Sequence, residues 1–576
     1  MNNKNLTIAS LRLPGWRRLC LAMLMLPSAA VWAAGAEVPV IAISSQGTSN
    51  ANSAEARDAS VLFYNPAGMA LLHGTHVSQP FALIFASTKV TDTGTTRVQD
   101  IGQAPDTGST ANCNIYDCWS DQTPDPAQPA VHAQPDGIFP AVLPVGALFA
   151  TTPLNNEVTL GIGVFSPGGG NLNYKSDWFG RYFIDSVAIE TININPSVAV
   201  RFDDKHSIGF GVSALIGHAK FKEQVDVTKI APYLLKGVVN TPQTVIDQLN
   251  NQLGGILPAD VLSQIIGTLS HVAPNQAKDL LSGLLAGQGL PGLDALDPVL
   301  ANINLIDPTS TASTTIETLG FGYGWNIGYL YQFSDKARLG ISYRAESDIR
   351  MNGKLDWDFS NTRSSAIGQA LTGDLEDFLV TNYRPDTDAR LIFTIPSKLN
   401  VGFFSELSDR FDFMLNYTFN KSSVVKNIAI ELPNQAIEVK QGAPVIAQNW
   451  RNTFTAATGL NYRWSDTLTL RTGIQFDQTP ISSNKFRNPA LADNDRWMGS
   501  FGIGYTVDKS THVDLAYSYL YILPADASFH EACTGTYYEG SAEQGTSECT
   551  ANGGTFRARY EDSHAHIFGL QINKRL

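Results

Sequence analysis

Leu319-Gly320-Phe321-Gly322-Tyr323-Gly324-Trp325-Asn326-Ile327-Gly328-Tyr329-Leu330-Tyr331-Gln332-Phe333 decides the fold: every second residue is large and apolar, and those between are mostly small or polar. Side chains on a strand point alternately to opposite faces, so this stretch has one greasy face and one that tolerates water. A soluble sandwich would need a second apolar layer to cover the greasy face. Here the pattern recurs from Asn155 to Leu576, with connections that alternate between tiny turns and long loops. That regularity predicts an all-β chain closed into an antiparallel transmembrane barrel.

Outward from that stretch, strands are expected at Thr75 to Val90, Ala141 to Thr152, Glu157 to Ser166, Ile189 to Asp203, His206 to Val225, Thr318 to Phe333 and Ala337 to Asp356. They continue at Asp388 to Glu406, Phe411 to Leu432, Asn449 to Tyr462, Thr467 to Gln478, Trp497 to Val507, Thr511 to Ile522 and Thr555 to Leu576. An even count of about fourteen puts both ends of the barrel, residues 75–576, on one side of the membrane. The short turns, such as Asp203 to Lys205, Ser334 to Lys336 and Asp508 to Ser510, gather at one end. Outer-membrane barrels keep short turns in the periplasm and long loops outside, which sets the orientation.

Composition agrees with this and excludes other classes. Lys4, Arg12, Arg17 and Arg18 precede an apolar run from Leu19 to Leu26 and a small-residue exit through Val31 to Ala36, so residues 1–33 read as a secretory signal peptide. Cys20 lacks the small residue before it that a lipid anchor requires. Removing a leader whose four charged residues are all basic takes the formal charge from -13 to about -17, and so acidic a chain is no partner for nucleic acid. The longest apolar run past the leader, Ile138 to Ala150, is broken by Pro140, Pro144 and Gly146, short of a spanning helix. Mean hydropathy is -0.07, as expected of strands polar on one side.

Three features lie outside the wall pattern. Residues 226–315 carry helical periodicity, with Thr241 and Pro242 as a start signal and stripes such as Val245, Ile246, Leu249 and Leu253; a helical cap in an extracellular loop is expected. Either the cap packs on itself, or part of its apolar surface collects greasy ligands. Cys113, Cys118, Cys533 and Cys549 belong to the first and last outer loops, where oxidation would make them disulfide candidates; local pairing and a cross-link between the loops are both open. His564 and His566, two apart on one strand face, could in principle share a metal, but such ring-shaped polar residues are common near a membrane interface, and no metal or cofactor is expected.

The third is a segment, residues 34–74, that no wall requires, sharpening to Ala54-Glu55-Ala56-Arg57-Asp58-Ala59-Ser60-Val61-Leu62-Phe63-Tyr64-Asn65-Pro66-Ala67-Gly68-Met69. This stretch resembles the hatch of the FadL-type long-chain fatty acid transporters, a family that also includes porins for toluene and related hydrocarbons. Further matches follow in order: Trp178 to Tyr182, Asn193 to Ser197, Gly324 to Gly328, Leu339 to Arg344, Arg471 to Gly473 and Asp493 to Arg496.

The resemblance implies a monomeric fourteen-stranded barrel, residues 34–74 folded into its lumen as a plug, and hydrophobic substrates captured by the outer loops. They would pass to an interior pocket and leave sideways into outer-membrane lipid at a kink of the third strand. Phe165 and Ser166 meet Pro167, Gly168, Gly169 and Gly170 at that position; proline removes a ladder donor, so pairing should fail there. Asn65, Pro66, Ala67 and Gly68 would lie against the kink as a gate. For a carboxylate substrate an interior cation is needed, and alternation points Arg344, Lys398 and Arg471 inward. Other lumen cations would pair with Glu55 and Asp58. The substrate is left between long-chain fatty acids and aromatic or other apolar hydrocarbons. A lipase on such a barrel would need a Ser–His pair on adjacent strands, and no serine has a persuasive partner. A purely structural barrel would have no use for the Asn65 to Met69 segment.

Overall fold

The computed structural model describes residues 40–95, 137–138, 141–174, 178–225, 312–362, 386–433, 445–491, 493–530 and 555–576. The alternating stretches all become strands. In chain order these are β1 His76–Asp92, β2 Ala141–Gly146 and Leu148–Pro153, β3 Val158–Phe165 and Gly169–Asn173, β4 Ser186–Arg201, β5 His206–Val225, β6 Ala312–Ser334 and β7 Ala337–Arg344 and Ser347–Asp358. They continue with β8 Thr387–Ile395 and Lys398–Glu406, β9 Phe411–Asn420 and Asn427–Glu431, β10 Val445–Ala447 and Thr453–Arg463, β11 Leu468–Asp477, β12 Arg496–Asp508, β13 Thr511–Ile522 and Ala525–His530, and β14 Thr555–Arg575.

Each strand pairs antiparallel with the next, and β1 closes on β14 from His76↔Arg575 to Asp92↔Ala558. The result is a closed barrel of fourteen strands. Closure is what a bilayer demands, since an open edge would leave backbone groups unpaired in hydrocarbon.

The deciding stretch sits in β6 as its pattern requires. Phe321 and Tyr323 point outward, 62% and 81% exposed, while Asn326 and Leu330 are buried inside. On β5 the outward row runs through Ile208, Phe210, Val212 and Ile216, then turns charged at His218 and Lys220, which meet Glu317. From Ile208 to Ile216 the chain rises about 26 Å, or roughly 20 Å along the axis of a tilted barrel. An apolar belt of this height fits an outer membrane. Aromatic residues edge it, Phe333, Phe411, Trp464 and Tyr505 at the short-turn end.

The short turns share a local cause. Asn155, Asp203, Ser334, Ser408, Ser465 and Asp508 each accept a backbone N–H two residues further on, the bond that closes a tight reversal.

Several boundaries differ from expectation. β6 begins at Ala312, so the final residues of the 226–315 span belong to the wall; residues 226–311, with their helical stripes, lie outside the described residues, as do residues 1–39 and all five cysteines, Cys20, Cys113, Cys118, Cys533 and Cys549. Strands read as continuous are interrupted: β7 at 345–346, β8 at 396–397, β9 at 421–426 and β10 at 448–452. The inward face changes parity across β7's break: Ile341 is 37% exposed on the outside, whereas Ile349 and Met351, also at odd positions, are buried inside. A local pattern does not report a lost ladder.

Candidate functional site

Residues 40–74 leave the wall pattern and form two single-turn helices, α1 Ile43–Gln46 and α2 Val61–Tyr64, and a 3-10 turn at Pro66–Leu71. Their polar groups reach inward-facing residues of strands all round the barrel. Ile43 N–H donates to Gln571 Oε1 on β14 (2.8 Å), the Gln46 amide to Ser518 on β13 (3.1 Å), Ser49 to Ser500 on β12 (2.8 Å) and Asn50 to Gln475 on β11 (3.0 Å). Asn461 on β10 donates to Glu55, Ser53 to Asn416 on β9, Arg338 on β7 to the Ala54 carbonyl and Ser207 on β5 to the Ala67 carbonyl.

Glycines on the inner face make the space. A Cβ on Gly161 would collide with Leu62 and Met69, on Gly209 with the Pro66 and Ala67 backbone, on Gly328 with Asn65 and on Gly473 with Thr48. Asn65 sits at the centre of this seat. Its Oδ1 caps the Ala67 N–H (3.0 Å), Pro66 opens the 3-10 turn, and its Nδ2 donates to the Tyr329 carbonyl on β6 (3.1 Å). Asp58 collects Ser44, Ser60 and Ser78 hydroxyls, and Glu55 pairs with Arg57, which also reaches Asp412.

The third strand is interrupted between Phe165 and Gly169. β3 pairs with β4 down to Phe165↔Asn193 and resumes at Gly169↔Glu190, so Ser166, Pro167 and Gly168 oppose two residues. The Gly168 N–H is taken by Thr191 Oγ1, and the Gly168 carbonyl also faces that hydroxyl. On its other side β3 pairs with β2 only as far as Leu148↔Val164. Among the described residues no ladder joins Ala141–Gly146 of β2 to Gly169–Asn173 of β3, while that part of β2 stays paired to β1. The wall therefore parts between β2 and β3.

A cavity enclosing about 1120 Å³ of atom-free space lies at this level. It brings together Phe63, Tyr64 and Pro66 from the inner segment, Pro167 from the β3 break, and Arg344 and Lys398 from β7 and β8. Burial holds the Tyr64 phenol well above its ordinary pKa, and it stays neutral.

Arg344 is the distinctive group. Its guanidinium lies over the rings of Phe63 (5.2 Å) and Phe165 (5.5 Å), which meet edge to face, and its Nη2 donates to the Phe63 carbonyl (3.0 Å). Its buried Nη1 has no hydrogen-bond partner, and no carboxylate pairs with it among the described residues. One cation thus touches both the inner segment and the last residue before the β3 break.

Arg471 departs from expectation. It points inward, but its Nη1 pairs with Asp514 (2.5 Å) beneath Gly47, and it does not line the cavity. Arg496, bound to Asp477, does line it; Asp477 and Arg496 end neighbouring strands with opposite charges, a signal that only the β11–β12 register makes readable. His564 and His566 face outward beside Tyr519 and Tyr517, in the aromatic belt, and His566 Nδ1 meets the Tyr517 hydroxyl at 2.9 Å. No group of three metal-ligating side chains occurs among the described residues.

The family profile described as outer membrane protein transport protein (OMPP1/FadL/TodX) matches residues 24–576. The NMB0088 protein of Neisseria meningitidis serogroup B is 24% identical over 553 residues, covering 94% of this chain and 95% of that protein. The long-chain fatty acid transport protein of Escherichia coli K12 is 21% identical over 370 residues, 64% of this chain and 68% of its own. The crystal structure of a FadL homologue from Pseudomonas aeruginosa superposes with a TM-score of 0.65 at 18% identity, over 94% of this chain and all of that one, a likeness of fold.

Proposed function

The chain belongs to the OMPP1/FadL/TodX family of outer membrane transport proteins for hydrophobic substrates, and from that premise we propose that it carries long-chain fatty acids. A family of transporters gives no reason to look for catalysis. The observation that carries the choice of substrate is Arg344, whose buried Nη1 lacks a partner in the cavity. A hydrocarbon would leave that donor unsatisfied, whereas a carboxylate would make a charge-assisted bond of about 1.5–3 kcal/mol. Lys398 lines the same cavity and adds positive potential.

The acyl chain supplies the rest of the affinity, roughly 0.8 kcal/mol per buried methylene. In this reading residues 34–74 are the hatch, Asn65 to Gly68 the gate, and Phe165 to Gly169 the lateral opening into outer-membrane lipid. Arg344 then works as a sensor, because Phe63 of the hatch and Phe165 of the opening share its guanidinium. A carboxylate that draws the guanidinium away would loosen both rings. Residues 1–33 are the signal peptide, residues 226–315 supply the outer capture surface, and the unit is a monomer.

The test compares oleate with hexadecane for binding to the purified full chain and to Arg344→Met. Oleate should weaken roughly tenfold or more in the variant and hexadecane should not change. Equal oleate affinity in the two proteins would assign the cavity to apolar hydrocarbons.

A further inference from the structure

A second cavity, with about 600 Å³ of atom-free space that is partly open to solvent, lies nearer the long-loop end, bounded by Val90, Leu172, Leu523, Ala525, Tyr560 and Asp493. Irregular wall creates it. β1 and β14 slip between Ser87↔His564 and Lys89↔Glu561, where Asp562 adopts φ 52°, and β13 is interrupted at Leu523 and Pro524 between Tyr521↔His564 and Ala525↔Tyr560. Three neighbouring strands thus lose regularity at one height. The Asp493-Asn494-Asp495-Arg496 motif fastens the gap: Leu523 N–H donates to the Asp495 carbonyl (2.9 Å), and the Asn494 amide donates to the Leu523 and Pro524 carbonyls (3.1 and 2.9 Å).

The lining is mainly apolar, with two polar atoms left over. Tyr560 is 6% exposed, and its hydroxyl makes no hydrogen bond of ordinary geometry, although it lies beside the Tyr174 hydroxyl, which donates to the Pro489 carbonyl (2.8 Å). Asp493 is 8% exposed; its Oδ2 accepts from Thr479 (3.0 Å), but its Oδ1 accepts nothing and stands 3.7 Å from Arg496 Nη1. Arg487 on the same wall donates to the Asp493 and Asp526 carbonyls and to Asn484. What remains is one hydroxyl proton to give and one carboxylate oxygen to receive.

A ligand carboxylate would face the Asp493 carboxylate and be repelled, and a plain hydrocarbon would leave both atoms unsatisfied. A ligand hydroxyl answers both, accepting from Tyr560 and donating to Asp493 Oδ1. We propose that this second cavity binds neutral apolar compounds bearing one hydroxyl, such as alkylphenols, and does so independently of any fatty acid in the central cavity.

Calorimetry on the full chain in detergent, with 4-butylphenol, butylbenzene and 4-butylbenzoate as matched probes, tests this. The phenol should bind more tightly than butylbenzene, Tyr560→Phe should weaken it roughly fivefold, and Asp493→Asn should weaken it further. Arg344→Met should leave phenol binding unchanged. Phenol binding no tighter than butylbenzene, unaltered in Tyr560→Phe, or lost in Arg344→Met would each overturn the proposal. Should Asp493→Asn fail to assemble, Tyr560→Phe decides alone, because it keeps the ring. Failure of 4-butylbenzoate to bind anywhere would count against the fatty acid reading and leave this one standing.

Discussion

Adding one methyl group at Gly209 should unseat the inner segment without harming the wall. The new Cβ would stand 2.7 Å from the Pro66 carbonyl oxygen and closer still to the Pro66 carbonyl carbon and the Ala67 nitrogen. Those are backbone atoms and cannot rotate aside, so the segment must retreat by about 1.1 Å to bring the Pro66 carbonyl carbon, 2.3 Å away, back to ordinary contact. The retreat strains two bonds that hold the Asn65-Pro66-Ala67 turn, Asn65 Nδ2 to the Tyr329 carbonyl and Ser207 Oγ to the Ala67 carbonyl. Overpacking costs about 1–3 kcal/mol and each weakened bond about 0.5–1.5 kcal/mol, so Gly209→Ala should cost about 2–6 kcal/mol of seating energy. Gly146→Ala is the matched control, because a Cβ there meets nothing within 4 Å. In planar bilayers Gly209→Ala should raise single-channel conductance and its noise, while heat-resistant barrel mobility on gels matches the control. Conductance identical in the two variants would refute the idea that the inner segment is seated through this contact.

Two further outcomes are expected. Replacing Pro167 to Gly170 with a regular alternating sequence should let β3 pair along its length with β2, and uptake of labelled oleate by cells should stop while the barrel still assembles; undiminished uptake would remove the side route. At the turn between β4 and β5, backbone N–H groups of Lys205 and His206 hold the Asp203 carboxyl below its usual pKa. A depressed carboxylate stabilises the folded state above its unfolded pKa and loses that contribution as pH falls through the folded value. Asp203→Asn should therefore flatten the acid side of the stability profile, read from denaturant midpoints between about pH 2 and 5, and an acid limb as steep as in the parent chain would contradict this.

Much of this protein is local and could be read from residue order. Strand identity follows from the period-two pattern of β5 and β6, turn positions from Asp203, Ser408 and Asp508, and the β3 break from Pro167, which has no N–H to give the ladder. The Asn65-Pro66 cap is equally local, since its bond spans two residues. Other features were out of reach for definite reasons. The breaks in β7 and β8 reverse the face that odd positions present, Ile341 out against Ile349 in and Leu391 in against Leu399 out, yet the large apolar residues stay at odd positions and the residue order shows no interruption. The inner glycines matter because of atoms that approach from residues 40–74, far along the chain, and each alone resembles any small lumen residue.

The cations show where the division lies. Alternation by itself aimed Arg344, Lys398 and Arg471 at the lumen, because the direction of a side chain on a strand depends only on its parity. Whether Arg344 or Arg471 meets a carboxylate depends on what stands opposite. Arg471 meets Asp514, 43 positions away, whereas Arg344 meets two rings and one carbonyl. That difference comes from the register between strands and the seating of the inner segment. Residue order determined the wall; the register between strands and the contacts of residues 40–74 decided that Arg471 meets a carboxylate while Arg344 meets two rings and a carbonyl.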